Sequence, residues 1–337
     1  MNKTKLLITT ALAGVVGLAG VASAKVGGSV SHTMTFSSDD SGNTGSPASE
    51  NRLGTELNLT MSGKKDLDNG MFAGYKGKLE IDGGGSSHPD HEFESQFGMG
   101  DFYIGIGNDG GNKLGGFASS LVSYAPMSLA HNVAATDPAM ASDANLTSID
   151  ESDNISANFK GAGGLFTVRY TPNVGNNLRN DIENPTGTGA SGTTILYKGQ
   201  PVDGLTVKIG QTSTEDTGDT DEKETSIGAS YNFGQFTLGV DRKDYEASSV
   251  ASTSDKEMTL VAGTYAVSDA VTLGATFYTT EAGAATASTP DEESYSLSVG
   301  YNLGGAAFTA SYVNIEDTAH SAGSDYNGLV LTSSFKF

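Results

Sequence analysis

Cysteine and tryptophan are both missing from this chain. Without cysteine there is no disulfide framework and no thiolate metal site. Basic residues are scarce as well: 19 Lys and Arg stand against 40 Asp and Glu, for a formal charge of -21. A surface this acidic repels phosphate backbones, which argues against a nucleic-acid binder. Apolar residues make up only 36% of the 337. Beyond the N-terminus no apolar run approaches the ~20 residues of a membrane-spanning helix. A water-soluble protein satisfies that shortage, and so does a membrane barrel, whose strands of ~9–11 residues alternate and average to low hydropathy. Gly is plentiful at 45 residues, yet it follows no G-X-Y period, so collagen is excluded. With 13 Tyr and 14 Phe the chain is also too aromatic for a disordered acidic tail.

The N-terminus carries an address. Lys3 and Lys5 precede an uncharged, largely apolar run from Leu6 to Val21, and Ala22, Ser23 and Ala24 follow it. This is the layout of a secretory signal peptide cleaved after Ala24. The run is marginal for a spanning anchor, and the A-x-A ending favours cleavage. Residues 1–24 are therefore expected to be a leader for Sec-type export, and 25–337 a single domain. Absence of cysteine suits an oxidising compartment.

Alternation runs through the rest of the chain. Over 52–62, Leu53, Thr55, Leu57, Leu59 and Met61 share one face, while Arg52, Glu56, Asn58, Thr60 and Ser62 share the other. Period-2 patterning of this kind means a strand with one apolar and one polar side. Segments 71–82, 235–243, 270–279 and 293–301 repeat it. Strands are predicted at 26–37, 52–63, 71–82, 92–98, 101–107, 154–160, 165–170 and 193–198. The second half adds 205–211, 224–231, 235–243, 256–265, 270–279, 293–301, 306–313 and 326–337, sixteen in all.

The connections alternate in length. Long ones span 38–51, 83–91, 108–153, 171–192, 212–223, 244–255, 280–292 and 314–325; those between them are short. In an up-and-down barrel every second connection lies at the same end, so one end carries long loops and the other tight turns. Membrane barrels have that asymmetry, and a Greek-key sandwich has no reason for it. Tyr231, Tyr265 and Tyr301 each stand just before a short turn. That placement suits an aromatic girdle at a membrane interface and equally suits the ordinary abundance of Tyr in β-structure. Leu329, Leu331, Phe335 and the terminal Phe337 share one face of the last strand. A terminal apolar aromatic makes sense where the last strand is paired or recognised.

With these features the chain resembles the Gram-negative general diffusion porins of the trimeric, sixteen-stranded type. The matching features are the leader, Phe337, the stretch Glu50-Asn51-Arg52-Leu53-Gly54, the turn from Lys65 to Gly70, and the strand from Phe102 to Ile106. The resemblance covers essentially the whole of 25–337. Asp101 departs from it, standing where the family often has a basic residue, and arginines are fewer than usual. The fold it implies is all-β, a transmembrane up-and-down antiparallel barrel whose third long loop, 108–153, folds inward as the constriction. That loop carries Asp137, Asp143, Asp150, Glu151 and Asp153. The resemblance implies that some of these acids face basic groups on the wall, with Arg52 matching the family's pore-wall arginine. Lys76 and Lys78 follow by parity, because they alternate with Tyr75 and Leu79, and Arg169 and Lys208 are inward by the same argument. Opposed charges across a narrow gap orient solutes and filter ions. The resemblance also implies a homotrimer in the outer membrane of a Gram-negative bacterium.

Other constellations carry less. The stretch from Gly105 to Gly110 fits G-x-G-x-x-G but lacks the βαβ unit and distant acid of a dinucleotide fingerprint. His88, Asp90 and His91 lack an identifiable further ligand. Glu215, Asp216, Asp219, Asp221 and Glu222 are oxygen-rich enough to hold Ca²⁺, although their spacing misses an EF-hand loop and a solvated acidic loop is the better reading. No Ser sits in a G-x-S-x-G elbow, and no catalytic order links an acid to any of the five His residues. No enzyme and no cofactor are expected. The expected function is passive diffusion of small hydrophilic solutes and ions through a water-filled lumen, with mild cation preference. The alternatives are an exported acidic β-rich surface protein, such as an adhesin or S-layer subunit, and a substrate-specific outer-membrane channel.

Overall fold

The computed structural model describes residues 23–39, 51–82, 90–108, 153–172, 191–215, 221–246, 256–282, 290–317, 322 and 325–337. Sixteen strands run in chain order: β1 (Ser23–Asp39), β2 (Asn51–Asp66), β3 (Met71–Asp82), β4 (Asp90–Met99), β5 (Phe102–Gly107), β6 (Asn154–Gly161), β7 (Gly164–Thr171) and β8 (Ser191–Val202). They continue as β9 (Leu205–Glu215), β10 (Glu222–Phe233), β11 (Phe236–Glu246), β12 (Lys256–Ala266), β13 (Val271–Ala282), β14 (Glu292–Asn302), β15 (Ala306–Glu316) and β16 (Tyr326–Lys336). Each strand pairs with its sequence neighbours, and β1 closes antiparallel on β16. The molecule is a closed up-and-down barrel. Every predicted strand is present, with most ends longer than predicted on the side of the long connections. There the outward residues turn from apolar to charged (Glu215, Glu246, Glu316), so hydrophobic alternation stops while the hydrogen-bond ladder continues.

One correction is instructive. The segment predicted at 193–198 extends to Val202, through Pro201, because a register irregularity between Gly199 and Val202 absorbs the missing proline donor. The short connection after β8 is therefore only residues 203–204. Ser23 and Ala24 already belong to β1, so cleavage after Ala24 would leave a strand starting at Lys25, opposite Ser62. Residues 1–22 lie outside the described residues.

The sorting of side chains is the reverse of a soluble protein. Large apolar residues such as Leu53 (67%), Leu297 (58%) and Leu238 (54%) are exposed on the outer face, whereas Asn158, Thr171 and Ser296 are buried on the inner one. An exposed apolar belt around a closed sheet is stable only in an apolar solvent, namely lipid. A surface protein would bury these faces against a second sheet. Aromatic rings crowd the outer face near the tight turns: Phe233 lies 5.8 Å from Phe236, which stacks 4.5 Å from Tyr265, and Phe166 lies 4.6 Å from Tyr197. At the opposite edge the belt ends in charge, with Lys223 Nζ 3.0 Å from Glu246 Oε1 and Arg242 joined to both Asp244 and Glu257. The tyrosines before the short turns thus occupy girdle positions.

Closure of the barrel reaches the final residue. The Gly28 amide donates to the Phe337 carbonyl and the Phe337 amide to that of Gly28, both at 3.0 Å. The Phe337 ring lies over Gly28, where an added Cβ would sit 2.7 Å from the ring and 2.8 Å from the Asn58 carbonyl. Gly28→Val is therefore expected to obstruct closure, with the penalty of about 1–3 kcal/mol typical of overpacking. Urea titration of the barrel folded in lipid vesicles measures it, and an unchanged midpoint would show that the terminal ring moves aside freely.

Candidate functional site

The barrel's inner wall divides into sectors by charge. On β2–β4, alternation and register place Glu56, Lys76, Lys78, Glu80, Glu92 and Glu94 on the lumen face. Lys76 Nζ lies 3.5 Å from Glu94 Oε1, and Lys78 donates to Glu80. Asn58 donates to Glu56 and the Gln96 amide to Glu94. Glu94 is pressed against the wall, its side chain 4% exposed, whereas those of Lys76, Lys78 and Glu80 keep 34%, 35% and 26%. A Cβ on Gly105 would come within 2.8 Å of the Glu94 carboxylate, so the glycine makes room for it. Among the described side chains of this patch two ammonium groups thus meet four carboxylates, a cluster of net negative charge open to water.

The next sector is cationic. Lys160, Arg169, Lys198 and Lys208 occupy lumen positions on β6–β9, with no acid among the described lumen residues of those strands. Arg169 is 1% exposed and Lys208 5%, so neither stands free in open water. Hydroxyl and amide groups tie this wall together: Thr167 donates to Asn158 and Asn158 to Ser156, both at 2.8 Å, and Thr194 lies 2.9 Å from Thr212. Farther round, Lys243 Nζ is 3.9 Å from Glu224 Oε1.

The remaining predicted site residues fall as follows. Arg52 lies on β2 opposite Thr35, alternating with outward Leu53; its side chain is outside the described residues. Asp137, Asp143, Asp150 and Glu151 are also outside them, and Asp153 is half-buried immediately before β6. The feet of this connection are well fixed. The Asn108 amide donates to the Phe93 carbonyl at 2.9 Å and its Oδ1 accepts from the Phe93 amide at 2.8 Å. Gly107, paired with Asn154, approaches so closely that a Cβ would sit 2.0 Å from the Phe93 carbonyl oxygen. Of the candidate Ca²⁺ ligands, Glu215 ends β9, Asp221 precedes β10 and Glu222 starts it, while Asp216 and Asp219 lie outside the described residues. Among the described residues no group of three His, Asp or Glu is arranged to hold a metal.

A closed sheet with an apolar outer belt and a charged, hydroxyl-lined interior is a membrane pore wall, and the sequence pattern of one family agrees with it. That of the Gram-negative porins matches residues 9–318. The chain belongs to the Gram-negative porin family. As a porin it is an outer-membrane diffusion channel, and the family is one of channels rather than enzymes. Its fold is shared with the anion-selective porin from Comamonas acidovorans, at 17% identity and a TM-score of 0.66, over 94% of this chain and 99% of that one. An engineered variant of the Rhodopseudomonas blastica porin aligns at 16% identity and a TM-score of 0.55, over 94% of this chain and 100% of that one. No curated protein matches the porin by sequence.

Sequence reasoning names the lysines of the first sector but misses its acids, Glu56, Glu80, Glu92 and Glu94. The signal that finds them is the same parity: Glu80 alternates with Leu79 and Ile81, and Glu92 and Glu94 flank the outward Phe93.

Proposed function

We propose that this porin passes small hydrophilic solutes and ions down their gradients with a mild preference for cations. The observation that carries the reading is the β2–β4 wall, where Lys76 and Lys78 are engaged by Glu94 and Glu80 while Glu56 and Glu92 add further negative charge. A cation moving along this wall meets carboxylates already fixed in place, and an anion meets lysines whose charge is largely cancelled. The Comamonas porin is anion-selective, but at 17% identity the shared fold does not carry the sign of its wall to this one. In this reading some of the acids Asp137, Asp143, Asp150, Glu151 and Asp153 supply counter-charge to wall cations such as Arg169 and Lys208, since a buried guanidinium is stable only when paired. Passive conduction uses no cofactor. Export by a Sec-type leader, cleaved after Ala24, delivers residues 25–337 to the outer membrane.

The working unit in this reading is a homotrimer. Support comes from the outer face where the barrel closes. Ser333, His32 and Thr55 form one register row across β16, β1 and β2, and His32 Nδ1 lies 3.0 Å from Thr55 Oγ1. His32 and Ser333 of this row line a groove of about 520 Å³ with Met34, Leu53, Phe308 and Leu331. Polar groups on a lipid-exposed face are costly, and the same face of another copy relieves them.

Proteoliposome swelling tests the conduction reading. Vesicles holding the porin are expected to swell faster in lysine hydrochloride than in sodium glutamate of equal osmolarity, and swelling is expected to slow as uncharged sugars grow larger. Equal rates for both charged solutes would remove the selectivity, and no swelling would remove the channel. Native mass measurement in mild detergent reports the trimer.

A further inference from the structure

The charges of the inner wall are also sorted along the barrel axis. Their distance from the tight turns, followed along each strand, shows the order. Near the tight-turn ends of their strands, lumen positions carry Lys25, Lys64, Lys160, Lys198, Lys208 and Lys336. Among the described side chains one wall acid accompanies them, Asp66, 3.3 Å from Lys64 Nζ. Asp101, Asp203 and Asp269 stand in the turns themselves, beyond the ends of the strands. All of these lysines except Lys208 are exposed. Farther in, the charges balance: Lys76 and Arg169 stand at about the level of Glu94 and Asp241. Toward the long connections the order reverses. Glu56, Glu80, Glu92, Glu222, Glu224 and Glu292 occupy lumen positions there, and among the described side chains only Lys78 and Lys243 oppose them.

A barrel strand rises ~3.3 Å per residue and tilts by ~40°, which gives ~2.5 Å of height per residue. The basic and acidic groups are therefore roughly 15–20 Å apart along the axis, farther than the ~10 Å over which a charge is felt at 0.1 M salt. They act as two zones in series and not as one mixture. We propose that this porin is a bipolar pore that rectifies, conducting more when the long-loop side is positive. Under that polarity cations enter the acidic zone from the long-loop side and anions enter the basic zone from the tight-turn side. Both accumulate where the zones meet, and conductance rises. Under the opposite polarity each zone faces the supply of the ion it repels, the junction is emptied of mobile ions, and conductance falls. With the long loops extracellular, the favoured direction carries cations inward and anions outward. Zones of opposite sign also offset each other in overall selectivity, which keeps the cation preference mild. The inference rests on the channel reading of this porin and adds a direction to it.

Current–voltage curves of single insertions in planar bilayers test this. In 0.1 M KCl on both sides, currents at opposite polarities of about 100 mV are expected to differ roughly twofold, and in 1 M KCl, where screening acts over ~3 Å, to become equal. Because the chain lacks cysteine, a biotin on Leu303→Cys, in the exposed turn between β14 and β15, marks orientation. Streptavidin is too large to cross the pore and lowers the current only when the tight turns face its chamber, which fixes the sign. Lys160→Glu with Lys198→Glu is expected to abolish the asymmetry and strengthen K⁺ preference, and the milder Lys160→Gln with Lys198→Gln to remove about half of it. Lys65→Glu, on the outer face beside Lys64, should leave it unchanged. Equal currents at both polarities in 0.1 M KCl overturn the inference and leave the channel reading intact. A larger current with the tight-turn side positive, or an asymmetry that survives in both double variants, overturns it as well. Absence of any conduction by the unmodified porin is the separate failure of the underlying reading.

Discussion

Leu297→Lys is expected to destabilise the folded barrel by about 2–4 kcal/mol, the penalty for a lysine on the lipid face near the bilayer midplane. Leu297 is 58% exposed on the outer face of β14, halfway between Tyr301 and the charged edge at Glu293. In water such a substitution on an exposed position would change stability by only about 0.5 kcal/mol. The size of the effect therefore reports the solvent. Thr60→Lys, on the exposed lumen face of β2, is expected to fall within that smaller range. Urea titrations of both variants folded in lipid vesicles make the comparison. Equal effects would mean that inside and outside have been wrongly assigned.

Reversing two wall acids should reverse selectivity. A unit charge ~8 Å from an ion's path acts with about 0.5 kcal/mol at the permittivity of water. Glu80→Lys together with Glu92→Lys changes the wall by four unit charges, or about 2 kcal/mol before salt screening. The K⁺ to Cl⁻ permeability ratio is expected to fall roughly tenfold, taking the channel to anion preference. The same charge change on the outer rim, Glu293→Lys with Glu316→Lys, provides the contrast. These residues are paired on the face away from the lumen, so the ratio should hold. Bi-ionic potentials across planar bilayers distinguish the two. A shift from the rim variant equal to that of the wall variant would mean that total charge, not the wall, sets selectivity.

How far the sequence discloses this structure depends on what each feature needs. The sixteen strands need only alternation, a local property, so segments such as 52–62 and 293–301 are legible residue by residue. Strand ends are less so, because Glu215, Glu246 and Glu316 break the apolar rhythm where the ladder still runs. Pro201 looks like a strand terminator, and only the cross-strand register reveals the irregularity that accommodates it. For the pore lining, parity alone places Lys76, Lys78, Arg169 and Lys208 on the lumen face. Their partners depend on register, which alternation does not specify beyond which face is which. That Lys76 lies opposite Glu94, so that the first basic sector is net acidic, emerges only once β3 is aligned with β4. The buried apolar side chains on the inner face of β12, β13, β15 and β16 are hidden for a different reason. Met258, Leu260, Val313 and Ile315 obscure the alternation of their strands, making them read as apolar on both sides until the fold shows which side is inside.

The most direct test of the account is the reversal potential of the unmodified porin in a planar lipid bilayer under a KCl gradient. The protein extracted in detergent should insert in discrete conductance steps, and the potential should take the sign of K⁺ preference, shrinking as salt screens the wall. A reversal potential of chloride sign would contradict the assignment of the β2–β4 acids as the selectivity-determining wall. Folded barrel that inserts without conducting would contradict the channel itself.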